Sequence, residues 1–88
     1  MSTSKRCRHK IFAEILDYLS TIGKAKLTWI ASYANMPIDR ARIVLGEMMF
    51  YGLIESFEDE SGSRFYKCSE RGLEYLEHWR KLQLLSGR

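Results

Sequence analysis

The chain has only two cysteines, Cys7 and Cys68, and two histidines, His9 and His78. Two cysteines set so far apart make neither a zinc ribbon nor a CxxC redox pair. Both are expected to be reduced thiols, and a disulfide between them is expected only in a hyperthermophile. His9 lies in a basic stretch and His78 on a charged helix face. Neither has a cysteine or an acid at the spacing of a triad or a metal site. The six glycines are scattered and build no phosphate-cradling loop. No enzyme activity, cofactor, metal or small-molecule ligand is therefore expected. Long apolar runs are also missing, and a membrane span needs about 20 such residues. The charged first residues are followed by no signal-peptide core, because Glu14 and Asp17 interrupt the apolar positions. A cytoplasmic protein without a membrane partner is the expectation. Proline occurs once, at Pro37, so one sharp break is expected there.

What is present fits one domain of 88 residues with an apolar share of 45%. A chain this short buries a modest fraction of its surface, so packing against a second copy would help it. The net charge of +3 is mild and selects no class of partner by itself. Its distribution is more informative. Lys5, Arg6, Arg8 and Lys10 make residues 1–10 basic with no acid, whereas Glu55, Glu58, Asp59 and Glu60 make residues 55–63 acidic with no base. The division read from this is a basic arm over 1–7 and a folded domain over 8–88, with a final helix at about 70–85.

Apolar residues at Ile11, Phe12, Ile15, Leu16, Leu19 and Ile22 form the stripe of an amphipathic helix, and Gly23 stops it. Lys24 to Leu27 alternates polar with apolar and predicts a short strand. Thr28 is expected to cap the next helix through its hydroxyl. Trp29, Ile30, Tyr33 and Ala34 give that helix one apolar face. Asn35 suits a left-handed C-terminal position, and Pro37 suits the first turn of the helix that follows. This third helix is predicted over Pro37 to Tyr51, with a buried stripe of Ala41, Val44, Leu45, Met48 and Met49. Gly46 inside it suggests a place where another backbone comes close. Leu53 to Phe57 and Arg64 to Cys68 are β-prone runs around a polar loop, and so predict a hairpin. Ser69 caps the final helix, which has Gly72 in its first turn. Two helices joined by a tight turn and followed by a hairpin are the outline of a helix-turn-helix with a wing. The fold class is α+β, mostly helical, in the order helix, strand, helix, helix, hairpin, helix.

Leu27-Thr28-Trp29-Ile30, Ala34-Asn35-Met36, Leu45, Tyr51-Gly52-Leu53-Ile54-Glu55 and Tyr66 to Leu76 carry a resemblance. Over about residues 8 to 82 the chain resembles the small archaeal winged helix-turn-helix proteins, which are DNA-binding regulators or chromatin-associated proteins. The likeness implies double-stranded DNA as partner. Two features depart from it. Asp39 near the start of the third helix would repel phosphate, and the wing tip is acidic where wings that touch DNA usually carry Lys or Arg.

In this geometry the N-terminal end of the third helix enters the major groove. Arg40 and Arg42 sit there beside Asp39 and Ile43, and the planar fork of arginine matches the O6 and N7 acceptors of guanine. Lys24, Lys26 and Thr28 precede or open the second helix, where free backbone N–H groups and lysines can hold phosphate. Arg64 and Lys67 can reach the backbone from the wing, although Arg64 can equally pair with the acidic tip. Lys5, Arg6 and Arg8 can add phosphate contacts from the arm and steepen the salt dependence. Tyr75, Leu76, Trp79 and Leu82 recur at helical spacing on a final helix longer than one small domain can cover. They are the expected seam of a homodimer. The expected function is a dimeric double-stranded DNA-binding protein of the transcription-regulator kind. The alternatives are a winged-helix protein-interaction module that does not bind DNA, and a nucleoid-type protein that binds DNA without sequence preference.

Overall fold

The computed structural model describes residues 7–85. Over these the order is α1 (Arg8–Ile22), α2 (Leu27–Ala34), α3 (Ile38–Phe50), β1 (Ile54–Glu58), β2 (Arg64–Cys68) and α4 (Glu70–Leu85). The two strands form one antiparallel hairpin, with Ile54 opposite Cys68 and Phe57 opposite Phe65.

The stripe on α1 goes where its period sends it. Ile11, Phe12, Ile15, Leu16 and Leu19 are buried, and Ile15, Leu16 and Leu19 are fully so. Ile22, the last member of the predicted stripe, is 44% exposed because the helix ends there. Around α1 pack Ile30 of α2, Val44, Leu45 and Met48 of α3, Leu53 and Ile54 at the hairpin, and Leu76 of α4. One core thus fixes the angle between α2 and α3.

The predicted strand at Lys24 to Leu27 shrinks to one bridge. Ala25 exchanges both backbone hydrogen bonds with Tyr66, at 3.0 and 2.8 Å. Ala25 is fully buried, so the bridge ties the foot of the wing to the start of α2. The helix then begins at once. Lys26 occupies the N-cap position in extended conformation, and its carbonyl accepts from the Ile30 N–H at 3.0 Å. Thr28 therefore lies inside the first turn and is not the cap.

Asn35 takes the left-handed conformation expected of it, with φ 58°. The Met36 N–H returns to the Ala31 carbonyl at 3.0 Å, closing the end of α2. Pro37 caps α3 from just outside, and its carbonyl accepts from the Ala41 N–H at 2.9 Å. On α3, Ala41, Val44, Leu45 and Met48 are buried as expected, but Met49 is 43% exposed. At about 100° per residue, Met49 cannot follow Met48 onto the same face.

Ser69 does cap α4. Its hydroxyl accepts from the Gly72 N–H at 3.0 Å and donates to the Gly52 carbonyl. Gly72, and not Gly46, is the glycine that another backbone needs. A Cβ on Gly72 would lie 2.0 Å from the Leu53 carbonyl oxygen, whereas one on Gly46 would meet nothing within 4 Å.

Candidate nucleic-acid interface

Burying Ala41, Val44, Leu45 and Met48 turns the opposite face of α3 outward. Asp39, Arg40, Arg42, Ile43, Gly46 and Phe50 are all exposed. Arg42 lies 3.7 Å from Asp39 one turn earlier, with both side chains well exposed. Such a surface pair is worth a few tenths of a kcal/mol, roughly 0.3–0.5, and gives way readily to a better partner. Arg40 leaves on the other flank, where it borders a hollow shared with Arg8, Phe12 and Glu47.

Arg8 is the first residue of α1, so its charge comes from the helix and not from the arm. Its guanidinium is 3.7 Å from Glu47 of α3. Lys5 and Arg6 lie outside the described residues.

The wing sorts its charges by strand face. Glu55, Phe57, Phe65 and Lys67 share one face, because residues alternate and Phe57 pairs with Phe65. The ammonium of Lys24 stands 4.6 Å from the Phe65 ring centroid and 5.8 Å from that of Phe57. Lys26 stands 5.7 Å from Phe65 and 6.0 Å from Trp29, and Lys67 is 5.7 Å from Phe57. Three lysines from two segments are thus gathered over one aromatic cluster. The ring faces attract the ammonium groups and limit where they wander. Lys67 also lies 3.9 Å from Glu55 across the hairpin, so it is the most compensated of the three.

Sequence reasoning selects these lysines one by one but misses the platform that joins them. It puts Trp29 on the apolar face of α2, yet Trp29 is 46% exposed and meets Phe65 edge-on. The signal is the strand register, which sets Phe57 opposite Phe65.

Arg64 does not join the cluster. It sits on the other strand face, donating to Ser56 and Glu58 at 3.0 and 3.1 Å. The acidic tip is built around Asp59. Its carboxylate accepts from the Ser61 hydroxyl at 2.7 Å and from the Ser61 and Ser63 N–H groups, both at 3.0 Å. The Ser61 hydroxyl first, then the two N–H groups and the Lys24 charge, hold the Asp59 pKa below its ordinary 3.8.

On α4, Leu76 is buried in the core of its own chain, while Tyr75 and Trp79 pack partly against it. Leu76 has little surface left for a partner. Leu82 is 59% exposed, and Leu84 and Leu85 are 77% and 82% exposed. Cys68 is half-buried, and its thiol donates to the Leu16 carbonyl at 3.3 Å. Burial, with a lesser contribution from the Asp17 charge, pushes that thiol up to about 11. Among the described residues no group of His, Cys, Asp and Glu could hold a metal, and no helix is long and apolar enough to cross a membrane.

A helix supported from behind, a tight turn before it and a hairpin after it are the parts of one known family. The profile of the winged helix-turn-helix family matches residues 5–86. The chain belongs to the winged helix-turn-helix family. Comparison with curated proteins gives no match. Among solved structures, a MarR family transcriptional regulator from Silicibacter pomeroyi superposes with a TM-score of 0.76 at 17% identity, covering 82% of this chain and 49% of that one. MepR, a transcription regulator of the Staphylococcus aureus multidrug efflux pump MepA, gives 0.74 at 15%, covering 89% and 64%. The transcriptional regulator BldR from Sulfolobus solfataricus gives 0.69 at 17%, covering 90% and 62%. This winged-helix chain spans about half the length of the first and under two thirds of the other two. At these identities the likeness is one of fold.

Proposed function

We propose that this winged-helix protein is a double-stranded DNA-binding transcription regulator that reads the major groove with α3. The observation that carries the reading is the free face of α3, where Asp39, Arg40, Arg42 and Ile43 stand exposed on a helix held by its buried side. A helix of that diameter fits the major groove, and an arginine fork suits guanine. Lys24, Lys26 and Lys67, with the first-turn N–H groups of α2 around Thr28, grip phosphate and orient the helix. The wing therefore meets DNA by its base and not by its acidic tip. Arg64, paired to Glu58, contributes least, while Arg8 adds its charge from the first turn of α1 and Lys5 and Arg6, outside the described residues, add further phosphate contacts.

The chain acts as a homodimer through α4, with residues 8–88 as one unit. Leu82, Leu84 and Leu85, exposed on the last turns of α4, form the centre of the seam, and Tyr75 and Trp79 form its edge. Two copies then set two reading helices on successive turns of the groove, about 34 Å apart. The work is cytoplasmic, and the resemblance through Tyr66 to Leu76 points to the small archaeal regulators.

The test is selection of a binding site from a random duplex pool, followed by titration of that site and a scrambled duplex. The expected result is an enriched site of two related halves, bound more tightly than the scrambled one. A protein that retains no duplex would favour a protein-interaction module, which the acidic wing tip suits. Equal binding of both duplexes would indicate a nucleoid-type protein.

A further inference from the structure

Gly46 occupies the middle of α3, where glycine weakens a helix relative to alanine. The fold supplies no reason for it. A Cβ there meets nothing within 4 Å, and Gly46 is not among the residues with positive φ. Gly72, by contrast, is demanded by the Leu53 carbonyl. What Gly46 does leave is open space on the outer side of α3, available to a surface from outside the chain.

Its neighbours indicate what kind of surface. At about 100° per residue, Asp39, Ile43, Gly46 and Phe50 fall along one line, opposite the buried Ala41, Val44, Leu45 and Met48. Ile43 is 61% exposed and Phe50 is 84% exposed. Arg40 and Arg42 flank the line without lying on it. The outermost ridge of α3 is therefore apolar beyond Asp39, with a gap at its centre. Such a ridge offers a phosphate nothing. It does suit a base edge, where the thymine C5-methyl is the apolar feature of the major groove. The groove is about 12 Å wide and a helix with its side chains is about 10–12 Å across, so clearance is small. Removing the side chain at the apex lets the helix sit deeper.

We infer that Gly46 is the point of closest approach between α3 and a base pair, and that Ile43 meets a thymine methyl beside it. This rests on the DNA reading above. It makes Gly46 and Ile43 determinants of sequence preference, with Arg40 and Arg42 at the edges.

The experiment titrates a duplex that the wild-type protein has selected from a random pool against wild type, Gly46→Ala and Gly46→Leu, and melts each protein. Both variants should melt at or above the wild-type temperature, because both residues favour helix over glycine. Affinity should fall roughly fivefold or more for Gly46→Ala, the low end of a base contact, and further for Gly46→Leu. Replacing thymine by deoxyuridine in that duplex should weaken the wild type and leave Ile43→Ala unaffected. Gly46 variants that bind as the wild type does, or that lose binding together with thermal stability, would overturn the inference. A wild type that binds no duplex removes the DNA reading itself, and this inference with it.

Discussion

Arg42 and Arg40 separate at the level of single side chains. Among the described residues Arg42 pairs with the exposed Asp39, and it has a free path outward from α3. Arg42→Ala should weaken binding to a preferred site by about 1–3 kcal/mol if the fork reads a base. The melting temperature should hardly move, because the residue lies off the buried face. Gly72 makes the opposite case. With the Leu53 carbonyl where its Cβ would be, Gly72→Ala must displace backbone, and urea unfolding should report a loss of about 1–3 kcal/mol or more. The cysteines differ as well. Cys68 is half-buried, holds its proton to about 11 and donates it to Leu16, whereas Cys7 is exposed. A thiol reagent at pH 8 should modify Cys7 quickly and Cys68 only after unfolding. Equal rates for the two in the folded protein would contradict this picture of the core edge.

Among the elements, the wing has an acid that organises its turn. Asp59 sits at the surface, yet its carboxylate organises the turn through Ser61 and Ser63. Its folded pKa lies below the unfolded value. The turn is thus supported above about pH 4 and released as pH falls through the lowered value. Amide exchange measured by NMR at Ser61 and Ser63 should quicken, relative to the intrinsic rate, over that acidic range. Asp59→Asn should abolish the pH dependence. Most of the elements are legible from periodicity. The stripes on α1 and α3 name most of their buried residues because a helix must present one face to the core, although Ile22 and Met49 are exposed and the buried Ala13 lies outside the stripe. The ends are less legible. Thr28 has the chemistry of a cap, but the bridge at Ala25 fixes the chain so that the helix starts at Leu27. The alternation over Lys24 to Leu27 marks a strand there, but it shows neither the partner, Tyr66, nor where the strand gives way to helix. Gly46 and Gly72 look alike in the sequence, and only the approach of Leu53 distinguishes them. The candidate lysines are legible from their charge. The platform under them needs the hairpin register, a pairing between segments.

At the scale of the whole molecule the proposed function draws on three surfaces: the free face of α3, the lysines over Phe57 and Phe65, and the exposed end of α4. Polar replacement of Leu82, Leu84 and Leu85 should yield a folded monomer in sedimentation, since none of them is buried in the core. Trp79 packs against that core, so its replacement should cost stability as well. A wild type that sediments as a monomer at micromolar concentration would remove the seam. The most direct measurement of DNA binding by this surface is equilibrium titration of a duplex over a range of salt. It compares the wild type with a variant combining Lys24→Ala, Lys26→Ala and Lys67→Ala. For the wild type, log K should fall linearly with log salt. The combined variant should give a shallower slope, by roughly one for each phosphate it no longer neutralises. Binding that is absent even at low salt, or that ignores salt, would contradict DNA binding by these surfaces.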